Sequence, residues 1–149
     1  MKISTKGRYG LKAVVDIAYH ARNVRCVPLN AVAERQGISE NYLEQIIAPL
    51  KKAGVVQSVR GAGGGYYLSR EPADITVGEV LRVLEGPLAP ADCVLDDDAG
   101  CGESDCGGCA VRDVWTKLFS SINEVVDSAT IADLVANVGE QPSSGTVPL

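Results

Sequence analysis

At 149 residues, with 46% apolar and 22% charged side chains, the chain suits one small globular domain carrying an appended dimerisation element. No apolar run approaches the roughly eighteen residues of a membrane span, and the first ten residues carry Lys2, Lys6 and Arg8 without a signal-peptide core, so the expected location is the cytoplasm and no membrane partner is expected. The net charge of −5 argues against a nucleic-acid partner only until it is divided: residues 1–70 hold eleven Lys and Arg against four Asp and Glu, whereas residues 71–149 hold three against fifteen. A basic first half beside an acidic second half suggests a nucleic-acid-binding part joined to a part with another task. Chance variation in solvated surface charge is the bland alternative, and the change of sequence pattern at the same boundary speaks against it.

In chain order, Leu11, Val14, Val15 and Ala18 recur at helical spacing and predict a first helix over about residues 5–22. Pro28 opens a short second helix with Leu29, Val32 and Ala33 facing inward. Gly37-Ile38-Ser39 forms a tight turn, Ser39 is a good N-cap, and Leu43, Ile46, Ile47 and Leu50 form the buried stripe of a third helix ended by Gly54. The β-rich run 55–60, the interruption Gly61-Ala62-Gly63-Gly64-Gly65 and the resumption Tyr66-Tyr67-Leu68 read as a hairpin with a glycine-rich tip. Thr76-Val77-Gly78-Glu79 matches a capping box, opening a fourth helix that ends near Gly86-Pro87.

Residues 87–109 are a loop rich in Gly, Asp and Cys. Beyond it Val111, Trp115, Leu118, Ile122 and Val125 recur at spacings of four and three, a coiled-coil-like seam widened by Val114 and Phe119. Packing on its own domain and pairing with a second copy both accommodate such a stripe. The small remaining core favours pairing, hence a homodimer. Thr130-x-x-Asp133 caps a short last helix with Ile131, Leu134 and Val135, and residues 139–149 have a composition that predicts disorder. The fold class is therefore mainly α with a small β-hairpin: a winged helix-turn-helix plus a long dimerisation helix. The expected division is a DNA-binding domain over 1–86, a cysteine loop over 87–109, dimerisation helices over 110–138 and a tail over 139–149.

In a winged helix-turn-helix the third helix enters the major groove of double-stranded DNA. Its outward residues include Ser39, Glu40, Asn41, Tyr42, Glu44 and Gln45; Asn or Gln can bridge adenine, and Glu can accept from the cytosine amino group. Lys51, Lys52, Lys2, Lys6 and Arg8, with Thr5 beside them, suit contacts to phosphate, which position without specifying. Arg60, on the shoulder of the glycine tip that includes Gly63, suits a minor groove. For any one of these charges taken alone, a solvated face is the simpler reading. A nucleotide-binding glycine loop is excluded, because a strand rather than a helix follows the glycines and no Gly-Lys-Ser/Thr appears. One histidine and no nucleophile–base pairing leave little equipment for an enzyme.

Cys93, Cys101, Cys106 and Cys109 fall within seventeen residues, the last three separated by four and then two residues. Close thiolate spacing of that kind suits a two-iron two-sulfur (2Fe-2S) cluster. Zinc, whose structural sites prefer two Cys-x-x-Cys pairs, a thiol redox pair formed by Cys106 and Cys109, and plain unliganded thiols are the alternatives. Cys26 stands apart and reads as an ordinary small residue.

The opening Met1-Lys2-Ile3-Ser4-Thr5-Lys6-Gly7-Arg8-Tyr9-Gly10, with Tyr42-Leu43-Glu44-Gln45, Arg60-Gly61-x-Gly63-Gly64-Gly65-Tyr66 and Ile75-Thr76-Val77-Gly78-Glu79-Val80, closely resembles the Rrf-two superfamily of bacterial regulators over about residues 1–138. The resemblance implies a dimeric winged-helix repressor or activator and is greatest to the iron–sulfur cluster regulators. It places Glu44, Gln45 and Arg60 at positions used for DNA contact in that group; where a serine can precede the tyrosine, this chain has Asn41. It likewise matches Cys93, Cys101 and Cys109 to the three cysteines before the long helix. The histidine that completes the site in some members is replaced by Arg112, and the acidic residue used by others by Arg8. Cys106 is then the simplest fourth ligand and Glu44 the runner-up. Cluster-free repressors of cysteine metabolism and nitric-oxide-sensing repressors of the same superfamily are the rival expectations. An electron-transfer protein is a rival from another class, against which the basic half and the wing argue.

Overall fold

The computed structural model describes residues 1–96 and 109–138. Six helices and one antiparallel hairpin follow one another as α1 (Thr5–His20), α2 (Leu29–Gln36), α3 (Glu40–Lys52), β1 (Val56–Val59), β2 (Gly65–Leu68), α4 (Val77–Glu85), α5 (Arg112–Ser128) and α6 (Ile131–Val138). Among the described residues no helix is long and apolar enough to cross a membrane.

The helix starts are set by side chains that satisfy the first free amides. Ser4 Oγ accepts from Gly7 N, Ser39 Oγ from Tyr42 N and Thr76 Oγ1 from Glu79 N, at 3.1, 3.1 and 3.0 Å. At α6 the capping box is reciprocal: Thr130 Oγ1 accepts from Asp133 N, and Asp133 Oδ2 accepts from Thr130 N. Pro49 lies inside α3, where its missing N–H would ordinarily end a helix. The helix continues for three more residues, because Leu50 beyond it is fully buried and Ala53 N donates back to Pro49 O.

One core joins Ala13, Val14, Val15 and Ile17 of α1, Val32 of α2, Leu43, Ile46, Ile47 and Leu50 of α3, Val55 and Val56 of the hairpin, Val80 of α4 and Ile131 of α6. Helix α6 thus returns to the N-terminal half: Ile131 is fully buried, its amide donates to Ile75 O, and Val77 N donates to Ala129 O. Helices α1 and α4 approach so closely that a Cβ at Gly10 would collide with Leu84 Cδ1.

Among the described residues a single carboxylate lies fully inside this core. Asp16 accepts from Arg35 Nη2 (2.6 Å), Arg35 Nε (3.0 Å) and Gln36 Nε2 (3.0 Å), with His20 Nδ1 3.2 Å away. Such a pair costs desolvation and is tolerable only because its oxygens are met by donors. It fixes α2, the first helix of the helix-turn-helix, against α1.

Helix α5 is different. It has no fully buried residue, and Val111, Val114, Leu118 and Val125 are 51, 52, 41 and 66% exposed. The stripe read from the sequence divides in two. Ile122, together with Val126, packs on a second small core of Val77, Leu81 and Leu88. Val111, Val114, Leu118 and Val125 form the outward row, at spacings of three, four and seven.

Candidate functional site

The hairpin and α3 form the walls of one groove of about 410 Å³, lined by Asn30, Glu40, Glu44, Lys51 and Arg60 with the glycine backbone of the tip. The local sequence dictates this arrangement. Buried Leu43, Ile46, Ile47 and Leu50 turn one face of α3 inward, which leaves Asn41, Glu44, Gln45 and Lys51 on the exposed face. The hairpin register pairs Val59 with Gly65, so Arg60 stands at the first position beyond the ladder, exposed. Gly61 and Gly63 have φ of 96° and 76°, a region that only glycine enters cheaply, and Gly64 N closes the tip on Gly61 O at 2.9 Å.

Sequence-predicted residues from two elements, Glu44 and Arg60, therefore meet in one groove. Glu40, also read as outward on the third helix, shares it, and so does Asn30, which was not singled out because the approach of α2 to the hairpin is a long-range event. Asn41 and Gln45 are exposed on α3 outside the groove lining. Tyr42 is half-buried, its ring edge-on to Tyr9 at 6.4 Å between centroids, so it packs α3 on α1. Ser39 spends its hydroxyl on the cap of α3. Lys2, Thr5 and Arg8 form a separate exposed group at the start of α1, where Thr5 and Arg8 border a depression of about 330 Å³ with Tyr9 and Lys12.

Of the four loop cysteines, Cys101 and Cys106 lie outside the described residues, as does the tail 139–149. Cys93 is buried on a short 3-10 turn, and Cys109 is half-buried just before α5. Arg112, in the first turn of α5, touches the backbone of both: its Nη2 donates to Cys93 O and its amide to Cys109 O, each at 3.3 Å. The guanidinium of Arg112 thus holds the backbone of Cys93, and its main-chain amide that of Cys109. Among the described residues no three His, Cys, Asp or Glu side chains come together as a metal site. Neither Cys93 nor Cys109 lines the groove that holds Glu44, and His20 is engaged with Asp16.

Sequence reasoning overlooked the link behind this segment. Arg82 of α4 donates to both carboxylate oxygens of Asp127 (2.7 and 2.8 Å) and to Asn123 Oδ1 (2.6 Å), and Asn123 Nδ2 donates to Leu88 O at 3.1 Å. The hydrogen bond from Arg82 lowers the Asp127 carboxyl below its ordinary value and raises Arg82. The network bolts α5 to α4 and to the chain entering the cysteine segment. Nothing in the spacing of Arg82, Asn123 and Asp127 marks them, since the partners are forty-one and forty-five residues away.

A family model described as Rrf2, iron-dependent transcriptional regulator, matches residues 3–137. The HTH-type transcriptional regulator CymR of Bacillus subtilis is 42% identical over 143 residues, 95% of each chain. The HTH-type transcriptional regulator IscR of Vibrio atlanticus is 40% identical over 138 residues, covering 91% of this chain and 75% of that protein. Among solved structures, CymR, titled the global cysteine regulator of B. subtilis, superposes with a TM-score of 0.77 at 40% identity, covering 92% of this chain and 98% of that one. IscR of T. potens does so with a TM-score of 0.75 at 44% identity, covering 97 and 93%.

Proposed function

Because the chain belongs to the Rrf2 family of transcription regulators, we propose that it acts as a homodimer that reads iron–sulfur status through a 2Fe-2S cluster held by Cys93, Cys101, Cys106 and Cys109. The observation that carries this reading is the placement of Cys93 and Cys109 at the head of α5, tied together by Arg112, immediately before the exposed row Val111, Val114, Leu118 and Val125. Four soft, anionic thiolates within seventeen residues suit iron in a cluster. When bound, such a group would supply charge and a redox or loss-sensitive signal.

The chain's own residues do the rest. The outward row of α5 pairs with the same row of a second copy, in a coiled-coil manner. Ser39 caps α3, and Asn41, Tyr42, Glu44 and Gln45 present it to base edges in the major groove. Arg60 and the Gly63 tip reach the neighbouring minor groove. Lys2, Thr5 and Arg8 hold phosphates. Arg112 transmits the order of the cysteine segment to the start of α5, and the Arg82–Asp127–Asn123 network transmits the position of α5 to α4. Two α3 helices engage half-sites about one helical turn apart, so a small change at the α5 pair alters affinity strongly.

A second reading, a cluster-free regulator of cysteine metabolism, is favoured by the likeness to CymR. Anaerobic purification followed by visible absorption and iron, sulfide and zinc analysis separates the two. Matched iron and sulfide, with promoter binding that changes on cluster loss, supports the first. A colourless protein with zinc or no metal after attempted reconstitution removes it, and so does identical DNA binding with and without the cluster.

A further inference from the structure

At the end of the hairpin opposite its glycine tip lies a cavity of about 540 Å³, between the C-terminal end of α1 and the chain leaving β2. Its size lies within the range of small-molecule sites. Ala18 and Ala21 leave the space, and Arg22, Arg25 and Arg70 line it against a single carboxylate, that of Glu71. Arg22 is already oriented: its guanidinium stacks on the Tyr19 ring at 4.1 Å and its Nε donates to Tyr19 O at 2.9 Å. Arg70 is fixed by Asp74 O and Glu79. Among the described residues neither Arg22 nor Arg25 has an ion-pair partner, and Arg25 makes no hydrogen bond. Ser69 also lines the cavity, and its Oγ is buried without a hydrogen-bond partner among the described residues.

An oriented guanidinium beside an unpaired one is matched to carboxylate and phosphate oxygens, and a buried hydroxyl without a partner costs free energy until one arrives. We propose that this cavity binds a small carboxylate- or phosphate-bearing molecule through Arg22, Arg25 and Ser69. Its lining shares no residue with the groove of Glu44 and Arg60. Val27 bridges Tyr66, so the segment carrying Arg22 and Arg25 runs beside the open end of the hairpin, not its tip.

The test is a titration of the full chain with inorganic phosphate, and separately with succinate, against chloride at matched ionic strength, followed by backbone amide shifts. The expected result is saturable shifts at residues 18–25 and 67–71 with one of the two anions, showing which chemistry is preferred. Arg25→Gln should weaken that binding about tenfold with an unchanged melting temperature. Ser69→Ala should weaken it less. Arg25 makes no hydrogen bond or ion pair among the described residues, so its variant keeps the test valid if Arg22→Gln proves unstable. Shifts that do not saturate, or that are the same in Arg25→Gln, overturn the proposal. So does a role in DNA contact, seen as weaker duplex binding and a shallower salt dependence in Arg25→Gln without saturable anion shifts.

Discussion

Helices α3 and α5 carry the same kind of amphipathic stripe and meet opposite fates. In α3 the four apolar positions Leu43, Ile46, Ile47 and Leu50 are all buried within the chain. In α5, four residues longer, the row Val111, Val114, Leu118 and Val125 stays exposed among the described residues. Periodicity reports that a helix has an apolar side; it does not report whether that side is satisfied by its own fold. The first helix makes a platform, and the second presents the surface on which the proposed homodimer rests.

The comparison breaks most visibly if the two stripes are cut in turn. Ile46→Ala should cost about 2–5 kcal/mol of folding stability, read as a drop in melting temperature that is the same at all protein concentrations. Leu118→Glu should leave the monomer folded, because its side chain is not part of the core. It should convert the dimer to monomer in analytical ultracentrifugation. Affinity for a two-half-site operator should then fall by about a hundredfold or more through lost bivalency. If Leu118→Glu instead unfolds the chain while remaining insensitive to concentration, α5 belongs to the monomer core and its outward row is no pairing surface.

A smaller effect sharpens the DNA side. Arg60→Ala should weaken operator binding by about 1–3 kcal/mol with a change in sequence preference. Lys2→Ala should weaken all duplexes nearly alike and lower the slope of log affinity against log salt by about one. Equal losses on every sequence for both variants would demote Arg60 from reader to phosphate anchor.

How much of this was legible beforehand follows the range of the interaction. Caps at Ser39, Thr76 and Thr130, the Gly37 and Gly54 stops and the hairpin were readable, because each is decided within about four residues. The Rrf2 fold was readable from motifs such as Arg60-Gly61-x-Gly63-Gly64-Gly65-Tyr66. The helix through Pro49 was readable too, because the stripe Leu43, Ile46, Ile47 and Leu50 runs across it to Gly54. The insertion of Ile131 into the first core was not, nor was the division of the α5 stripe at Ile122, since both depend on where α6 and α4 lie. Arg112 was read only as a residue unable to ligate. Its hold on Cys93 and Cys109 is a matter of geometry that residue type does not announce.

The least of the expected effects is in acid. Asp127 is held below its ordinary value near 3.8 chiefly by the hydrogen bond from Arg82, and Asp133 chiefly by the backbone N–H of Thr130. Lowered carboxyl values mean that the charged forms are favoured in the native state. Their contribution to stability is therefore complete above the ordinary value and is lost as pH falls through the lowered native values. Both groups sit at the α5–α6 junction, and both are exposed, so solvent screening keeps the contribution small. Between pH 7 and 5 amide hydrogen exchange in α6 and α3 should keep a constant ratio. Below about pH 4 exchange in α6 should rise relative to α3, and Asp127→Asn should weaken that pH dependence while Leu118→Glu leaves it in place. The same dependence in Leu118→Glu monomers would show that the junction is held within one chain, by Arg82 and Thr130, and that acid acts on how α5 is aimed rather than on the pairing of two copies. Its disappearance in the monomer would place the acid-sensitive contact between copies instead.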